Sequence, residues 1–224
     1  EFLASLNPND GERKESSSGG IFIALAKVII KRGGVVFGAE FDEKWEVFHA
    51  SADKQDDVLP MMGSKYLQSR IENAYIQVEQ CLKQGRFVMF VGTPCQLLGL
   101  RKFLCNKDSS NLLAVDILCH GVPSPGVWRA YLNETFKVSA GKDRPLAVAG
   151  KNTVLKSSLN VKSPIGDIKF REKSDGWEKY RFVVRKKSAS KADQNSVLLS
   201  DIHDDNAFMK GFLSNVYLRP SCYT

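Results

Sequence analysis

The sequence predicts an α/β fold: a central mixed, largely parallel sheet with flanking helices, plus an antiparallel β section in the second half. Three observations predict it. Residues 87–91 and 111–118 are nearly continuous apolar runs, the pattern of strands covered on both faces. Each run ends in a turn that leads into a helical stretch, the order expected of an open α/β sheet. From Arg144 onward, short strand-like pieces alternate with polar turns, as in antiparallel sheets.

At 224 residues the chain can bury a substantial core, as one large domain or two small ones. The longest apolar run, 21–30, is interrupted by Lys27. It is too short to span a bilayer, which needs ~20 apolar residues. No membrane span is expected, and no secretory pattern opens the chain. The five cysteines are Cys81, Cys95, Cys105, Cys119 and Cys222, odd in number and without a CxxC pair. They spell neither a disulfide framework nor a standard zinc site, so a reduced, cytoplasmic location is expected. Charge is uneven: residues 136–191 hold 15 Lys and Arg against 5 Asp and Glu, a net of +10, while the other residues net −3. A solvated basic face explains such a bias, and so does a site for an anionic cofactor, substrate or partner. No RNA-binding motif or zinc-finger spacing accompanies it, so nucleic acid is not an expected partner.

Residues 1–15 are polar, turn at Pro8-Asn9-Asp10-Gly11, and read as a linker from an upstream module. Ser16-Ser17-Ser18-Gly19-Gly20 then precede a helix over 21–31, and one of the serines is expected to cap it. Two glycines at a helix start also leave the backbone open to close approach, as in phosphate-binding turns, so both readings stand. Gly33-Gly34 end the helix. Residues 35–41 and 46–50 read as a hairpin around Asp42-Glu43-Lys44, with His49 in a structural or exposed role. The loop over 61–69 offers a charge at Lys65, a ring at Tyr66, and hydrogen bonds from Gln68 and Ser69. Those groups suit an aromatic, anionic cofactor, and they also suit an ordinary surface loop. A helix over 71–84, closed by Gly85, leads to the central strand.

Gly92-Thr93-Pro94 breaks that strand. Gly92 can take a backbone conformation that other residues avoid, and Pro94 suits the first turn of a helix. Cys95 therefore sits where free N–H groups and the positive end of a helix dipole favour an anion: a thiolate, a phosphate or a metal-bound sulfur. A half-buried structural thiol is the plain alternative. The strand over 111–118 ends in Cys119-His120-Gly121-Val122-Pro123-Ser124-Pro125. A helix over 128–136 follows, capped by Ser124 with Pro125 in its first turn. Cys95 and Cys119 thus hold equivalent places, and the C-terminal ends of parallel strands line one crevice. If the two strands are neighbours, two sulfurs and His120 come together. Further on, strands are expected at 146–148, 154–155, 168–170, 180–184 and 197–199, a turn at Ser174-Asp175-Gly176, and a last helix over 203–213. Arg171, near Trp177, could grip a phosphate or carboxylate or make an exposed ion pair.

Several of these stretches together resemble the coenzyme F420 hydrogenase/dehydrogenase beta-subunit family, specifically its C-terminal domain in bacterial homologues. They are Ser17-Ser18-Gly19-Gly20, Gly63-Ser64-Lys65-Tyr66 with Gln68-Ser69, and Gly92-Thr93-Pro94-Cys95-Gln96. Asp116 with residues 119–125, Phe170-Arg171 with Lys173 and Gly176-Trp177, and Leu218-Arg219-Pro220-Ser221-Cys222-Tyr223 complete the set. The resemblance implies a flavin-dependent iron–sulfur oxidoreductase. Such an enzyme relays electrons between a 4Fe-4S cluster, FAD and a small-molecule substrate, with an electron-donor or acceptor protein or a ferredoxin-like module as partner. It implies an oxidoreductase domain over 16–224, with an α/β part over 16–137 and a β-rich part over 138–224. The family pattern runs on past Tyr223 to one more cysteine, so the chain reads as a piece of a longer protein, cut before that residue. With it, Cys95, Cys119 and Cys222 would make the four thiolates such clusters usually have, and the chain as given would be inactive. For the flavin, the resemblance points to Ser18, Gly19, Gly20, Ser64, Lys65, Tyr66, Gly92, Thr93 and Arg171. Lys65 would stabilise the reduced ring, and His120 would deliver protons or else only hydrogen-bond to the backbone of its loop.

Two readings compete with this one. The chain could be a non-redox docking module that binds an anionic partner through its basic half. It could also be an enzyme with Cys95 as nucleophile and His120 as base.

Overall fold

The computed structural model describes residues 3–136, 165–187 and 196–222. Its first sheet consists of β1 (Val35–Phe41), β2 (Val47–Ala52), β3 (Val88–Gly92) and β4 (Leu112–Asp116), in the order β2-β1-β3-β4. β1 pairs antiparallel with β2, whereas β1–β3 and β3–β4 are parallel. The second sheet is an antiparallel meander of β5 (Ile165–Glu172), β6 (Arg181–Lys186) and β7 (Val197–Ile202). The helices are α1 (Asp10–Glu15), α2 (Ile21–Lys31), α3 (Gln55–Val58), α4 (Ala74–Lys83), α5 (Pro94–Phe103), α6 (Pro125–Phe136) and α7 (Ala207–Leu213). None of the helices among the described residues is long and apolar enough to cross a membrane.

The unbroken apolar run of β3 has a simple cause: both of its faces are covered. On one face α2 buries Ile23, Ala26 and Ile29, spaced three apart, against Val36 and Met89. On the other, Val78 of α4 and Leu100 of α5 pack with Phe37 and Phe90. A second core lies between the meander, α6 and α7. Trp128, Phe170, Phe182 and Phe208 meet there, with Trp128 and Phe208 at 4.9 Å and Phe170 and Phe182 at 5.1 Å between ring centroids. Val47 and Leu67 belong to the same cluster, so the meander rests on the β1–β2 hairpin. Trp128 Nε1 also donates to the Trp45 carbonyl (2.6 Å), fastening α6 to the hairpin turn.

Three local expectations need correction. The strand after Cys105 was expected to be buried, but β4 ends the sheet among the described residues. Leu113 is 40% exposed, Ile117 45%, and Leu118 wholly exposed. An apolar run reports burial, and it carries no information about which strand lies beside it. The expected serine cap of α2 is absent: Gly20 holds the N-cap position at φ 76° with no side-chain cap. The stretch expected as a linker contains α1, capped by Asn9, which leaves its linking role untouched. Gly92 does not adopt a positive φ. It is small because a Cβ there would sit 3.0 Å from Phe90 Cε1 and 3.1 Å from Gln96 Oε1. The expected strands at 146–148 and 154–155, and much of the basic stretch, lie outside the described residues.

Candidate functional site

The C-terminal ends of β3 and β4 lie side by side, with Gly92 paired to Asp116. β3 passes directly into α5. There Thr93 and Gln96 form a reciprocal capping box, and Pro94 occupies the first turn. Cys95 follows on the exposed surface, its Sγ 3.1 Å from Thr93 Oγ1. The chain after β4 takes longer to reach its helix. Cys119 and His120 sit in an exposed loop that ends where Ser124 Oγ accepts from Gly126 N (3.2 Å) at the start of α6. That loop is zipped to the end of the chain. Pro123 bridges Leu218, and Arg219 N donates to the Val122 carbonyl (2.9 Å). Gly121, at φ 127°, has room for no side chain, because a Cβ there would come within 2.8 Å of Leu218 Cδ1 and 3.4 Å of Cys222 Cβ. Cys222 is thereby brought to the Cys119 loop.

Partial burial of its sulfur pushes the Cys119 thiol up. A hydrogen bond from the Gly121 backbone opposes that shift, and the nearby Cys95, Cys222 and Asp116 add to it. Cys95 and Cys222 thus both lie close enough to Cys119 to act on it. As placed, however, they do not form a ligating set: among the described residues no group of three or more His, Cys, Asp or Glu side chains could hold a metal ion. The other two cysteines lie apart, Cys81 half-buried in α4 and Cys105 exposed beyond α5.

A second group of predicted residues meets between the start of α2, the loop over 63–66 and β5. Ser64 N donates to Ser17 Oγ, joining the two motif stretches. Gly19 and Gly20 are tightly approached, but by this chain itself. Asn7 N donates to the Gly19 carbonyl (2.7 Å), and a Cβ on Gly20 would lie 2.9 Å from Asn7 Cβ. Lys65 Nζ donates to the carbonyls of Met61 (3.3 Å), Met62 (3.1 Å) and Gly63 (3.4 Å). Loss of hydration pushes its ammonium down to about 8, against the pull of Glu40 and Asp167. Tyr66 is packed into the aromatic core, stacked on Phe212 at 4.7 Å and edge-on to Phe170 at 5.6 Å.

Arg171 projects from β5 with its guanidinium 4.4 Å from the Tyr180 ring and 4.9 Å from the Trp177 ring. Its Nε is buried and has no hydrogen-bond partner among the described residues. Lys173 donates to the carbonyls of Arg13 (2.9 Å) and Ser18 (3.3 Å). Burial lowers the Lys173 pKa, and repulsion from Arg171 and Arg13 lowers it further. These cations are crowded beyond what neighbouring carboxylates relieve, which suits an anion. The cysteine edge and the cation face are linked by rings: His120 meets Phe212 edge-on at 5.0 Å, and Phe212 stacks on Tyr66.

Sequence reasoning missed Phe212, which lies in α7 without any motif, and Asn7, whose role shows only once Gly19 and Gly20 are folded against it. It also left the His49–Ser69 pair unjoined: His49 Nδ1 lies 2.6 Å from Ser69 Oγ. A polar cleft of about 290 Å³ lies at the opposite end of the sheet, among Asp53, Asp57, Gln77 and Arg86, away from every predicted site residue.

The family model for the C terminus of the coenzyme F420 hydrogenase/dehydrogenase beta subunit matches residues 85–224. The chain belongs to this family. The match takes in both cysteine turns, Arg171 and Cys222, while the stretches at 16–20 and 63–69 precede it. Among solved structures, a chain of the F420-reducing [NiFe] hydrogenase complex from Methanosarcina barkeri, studied with xenon, shares the fold. The TM-score is 0.57 at 16% identity, over 97% of this chain and 62% of that chain. This chain thus spans less than two thirds of that structure's length. No curated protein matches it.

Proposed function

We propose that the chain is the redox domain of a flavin-dependent iron–sulfur oxidoreductase, with FAD on the Lys65–Arg171 face and electron exchange at the edge carrying Cys95, Cys119 and Cys222. One observation carries the reading. A desolvated ammonium, held by carbonyls and depressed to about 8, lies in a loop that Ser64 joins to Ser17, and the adjoining Ser18 carbonyl is held by Lys173, two residues from Arg171, whose buried Nε is unpartnered. An anionic, aromatic cofactor would give Arg171 Nε a partner and would set a negative charge near the Lys65 ammonium, whose three donors already face carbonyls. FAD, when bound, supplies exchange of one or two electrons. Lys65 would hold negative charge on the ring, and Arg171 and Lys173 would hold the phosphates or a substrate carboxylate. Tyr66 would wall the site with an already packed ring. His120, exposed beside Phe212, would carry protons at its imidazole nitrogen.

For a phosphate to reach the N–H groups of Ser18, Gly19 and Gly20, Asn7, which packs against Gly19 and Gly20, would have to move. The cysteines converge without forming a ligating set, so a cluster would require them to draw closer and a fourth thiolate from outside this chain. The wider protein would pass electrons between a protein partner and a small-molecule redox substrate.

The test is anaerobic reconstitution with FAD, iron and sulfide, followed by absorption spectroscopy. Retained flavin bands that a Lys65→Met, Arg171→Ala variant loses are the expected result. A broad cluster band absent from Cys95→Ser, Cys119→Ser would assign the thiolates. A colourless protein overturns the reading.

A further inference from the structure

His49 is 5% exposed and lies over the apolar layer of the first sheet, stacked on Phe90 at 5.0 Å with 12° between the rings. Burying an imidazole among hydrocarbon costs desolvation free energy that its hydrogen bonds only return. A leucine of similar volume would fill the space without that cost. The bonds it makes are specific. His49 Nε2 lies 3.0 Å from the Val91 carbonyl, which can only accept, so Nε2 carries the proton. Nδ1 therefore accepts from the Ser69 hydroxyl, and Ser69 is itself 9% exposed. The Ser69 carbonyl accepts from Gln96 Nε2 (3.3 Å). Gln96 Oε1 accepts from Thr93 N (3.0 Å) and from Thr93 Oγ1 (3.2 Å), and that oxygen stands 3.1 Å from Cys95 Sγ. One side chain on β2 thus reaches across β1 to the end of β3. It also ties in the loop that carries Lys65 and Tyr66.

We propose that His49 is the positioning residue of this redox site: its Nε2–H imidazole, acting through Val91, Ser69 and Gln96, fixes the Thr93–Cys95 turn relative to the Lys65–Tyr66 loop. The inference rests on the function proposed above, and it can fail separately.

The test compares His49→Leu with His49→Gln, whose amide can still donate to the Val91 carbonyl. Two quantities are read on the folded chain: FAD affinity by flavin fluorescence, and amide hydrogen exchange over residues 92–97. His49→Leu is expected to weaken FAD roughly tenfold, the scale of a lost buried hydrogen bond, and to speed exchange at 92–97 by a similar factor. His49→Gln should recover both to within about threefold, since it restores the donor. A folded His49→Leu with wild-type affinity and exchange overturns the proposal, as does a glutamine variant no better than leucine. If His49→Leu does not fold, Ser69→Ala removes only the hydroxyl and must still speed exchange at 92–97. Wild-type protein that binds no FAD sinks the functional reading, and the exchange data then decide the positioning role alone.

Discussion

The ends of β3 and β4 carry the same chemistry on different foundations. β3 is central, its Val88, Met89 and Phe90 are fully buried, and it turns at once into a capped helix that presents Cys95. β4 is the outer strand of its sheet among the described residues. Its chain continues through exposed Ile117 and Leu118 to a loop held by a distant segment, and that loop presents Cys119. One sulfur is therefore placed by local structure. The other is placed by the docking of residues 218–222. Placement of this kind would keep the Cys95 wall rigid while the Cys119 wall adjusts.

The largest expected contrast lies in the strands themselves. Phe90→Ala opens a cavity between Phe37, His49 and Tyr75, and should cost about 3–5 kcal/mol. Leu113→Ala on β4, already 40% exposed, should cost less than about 1 kcal/mol. Urea unfolding midpoints measure both, and near-equal losses would show that β4 is covered after all. Next in size is Gly121→Ala, which combines a φ of 127° with a 2.8 Å approach to Leu218. A cost of about 1–3 kcal/mol is expected. It should appear as increased proteolysis or exchange at 218–222, with the 92–97 turn undisturbed. Thr93→Ala is the mirror experiment. It removes half of the capping box and should cost about 1 kcal/mol, confined to the start of α5.

That contrast also marks what could be read from the sequence. The strand–turn–helix order around Gly92-Thr93-Pro94-Cys95 is local, so the Cys95 turn, its proline and its helix were all legible. The pattern left the pairing of β3 with β4 as a condition, and the structure supplies it, bringing Cys119 alongside. The edge position of β4 was not legible, because hydrophobicity records how much of a strand is covered and never names its lateral neighbour. Cys222 could be joined to the site only through family resemblance, since its partner segment lies about a hundred residues away in sequence. The contact of Asn7 with Gly19 and the carbonyl cage of Lys65 were hidden for another reason: both are made by residues of short irregular loops, which have no periodicity to read.

The smallest expected effect is a pH dependence that originates at His49. Burial holds His49 below its ordinary 6.5, with the bond to the Val91 carbonyl opposing the shift. The folded state therefore binds a proton at His49 less readily than the unfolded chain does. As pH falls through about 6.5, the unfolded chain gains its proton first, so stability declines, and it levels off only below the folded-state value. His49→Gln should flatten this part of the stability profile between pH 7 and 5, and His49→Leu, which also removes the titrating ring, should do the same. Chemical denaturation of the three proteins across that range measures it. A slope that survives in His49→Gln would mean that the acid-sensitive group lies elsewhere, and that the end of β3 is not the rigid wall its hydrogen bonds describe.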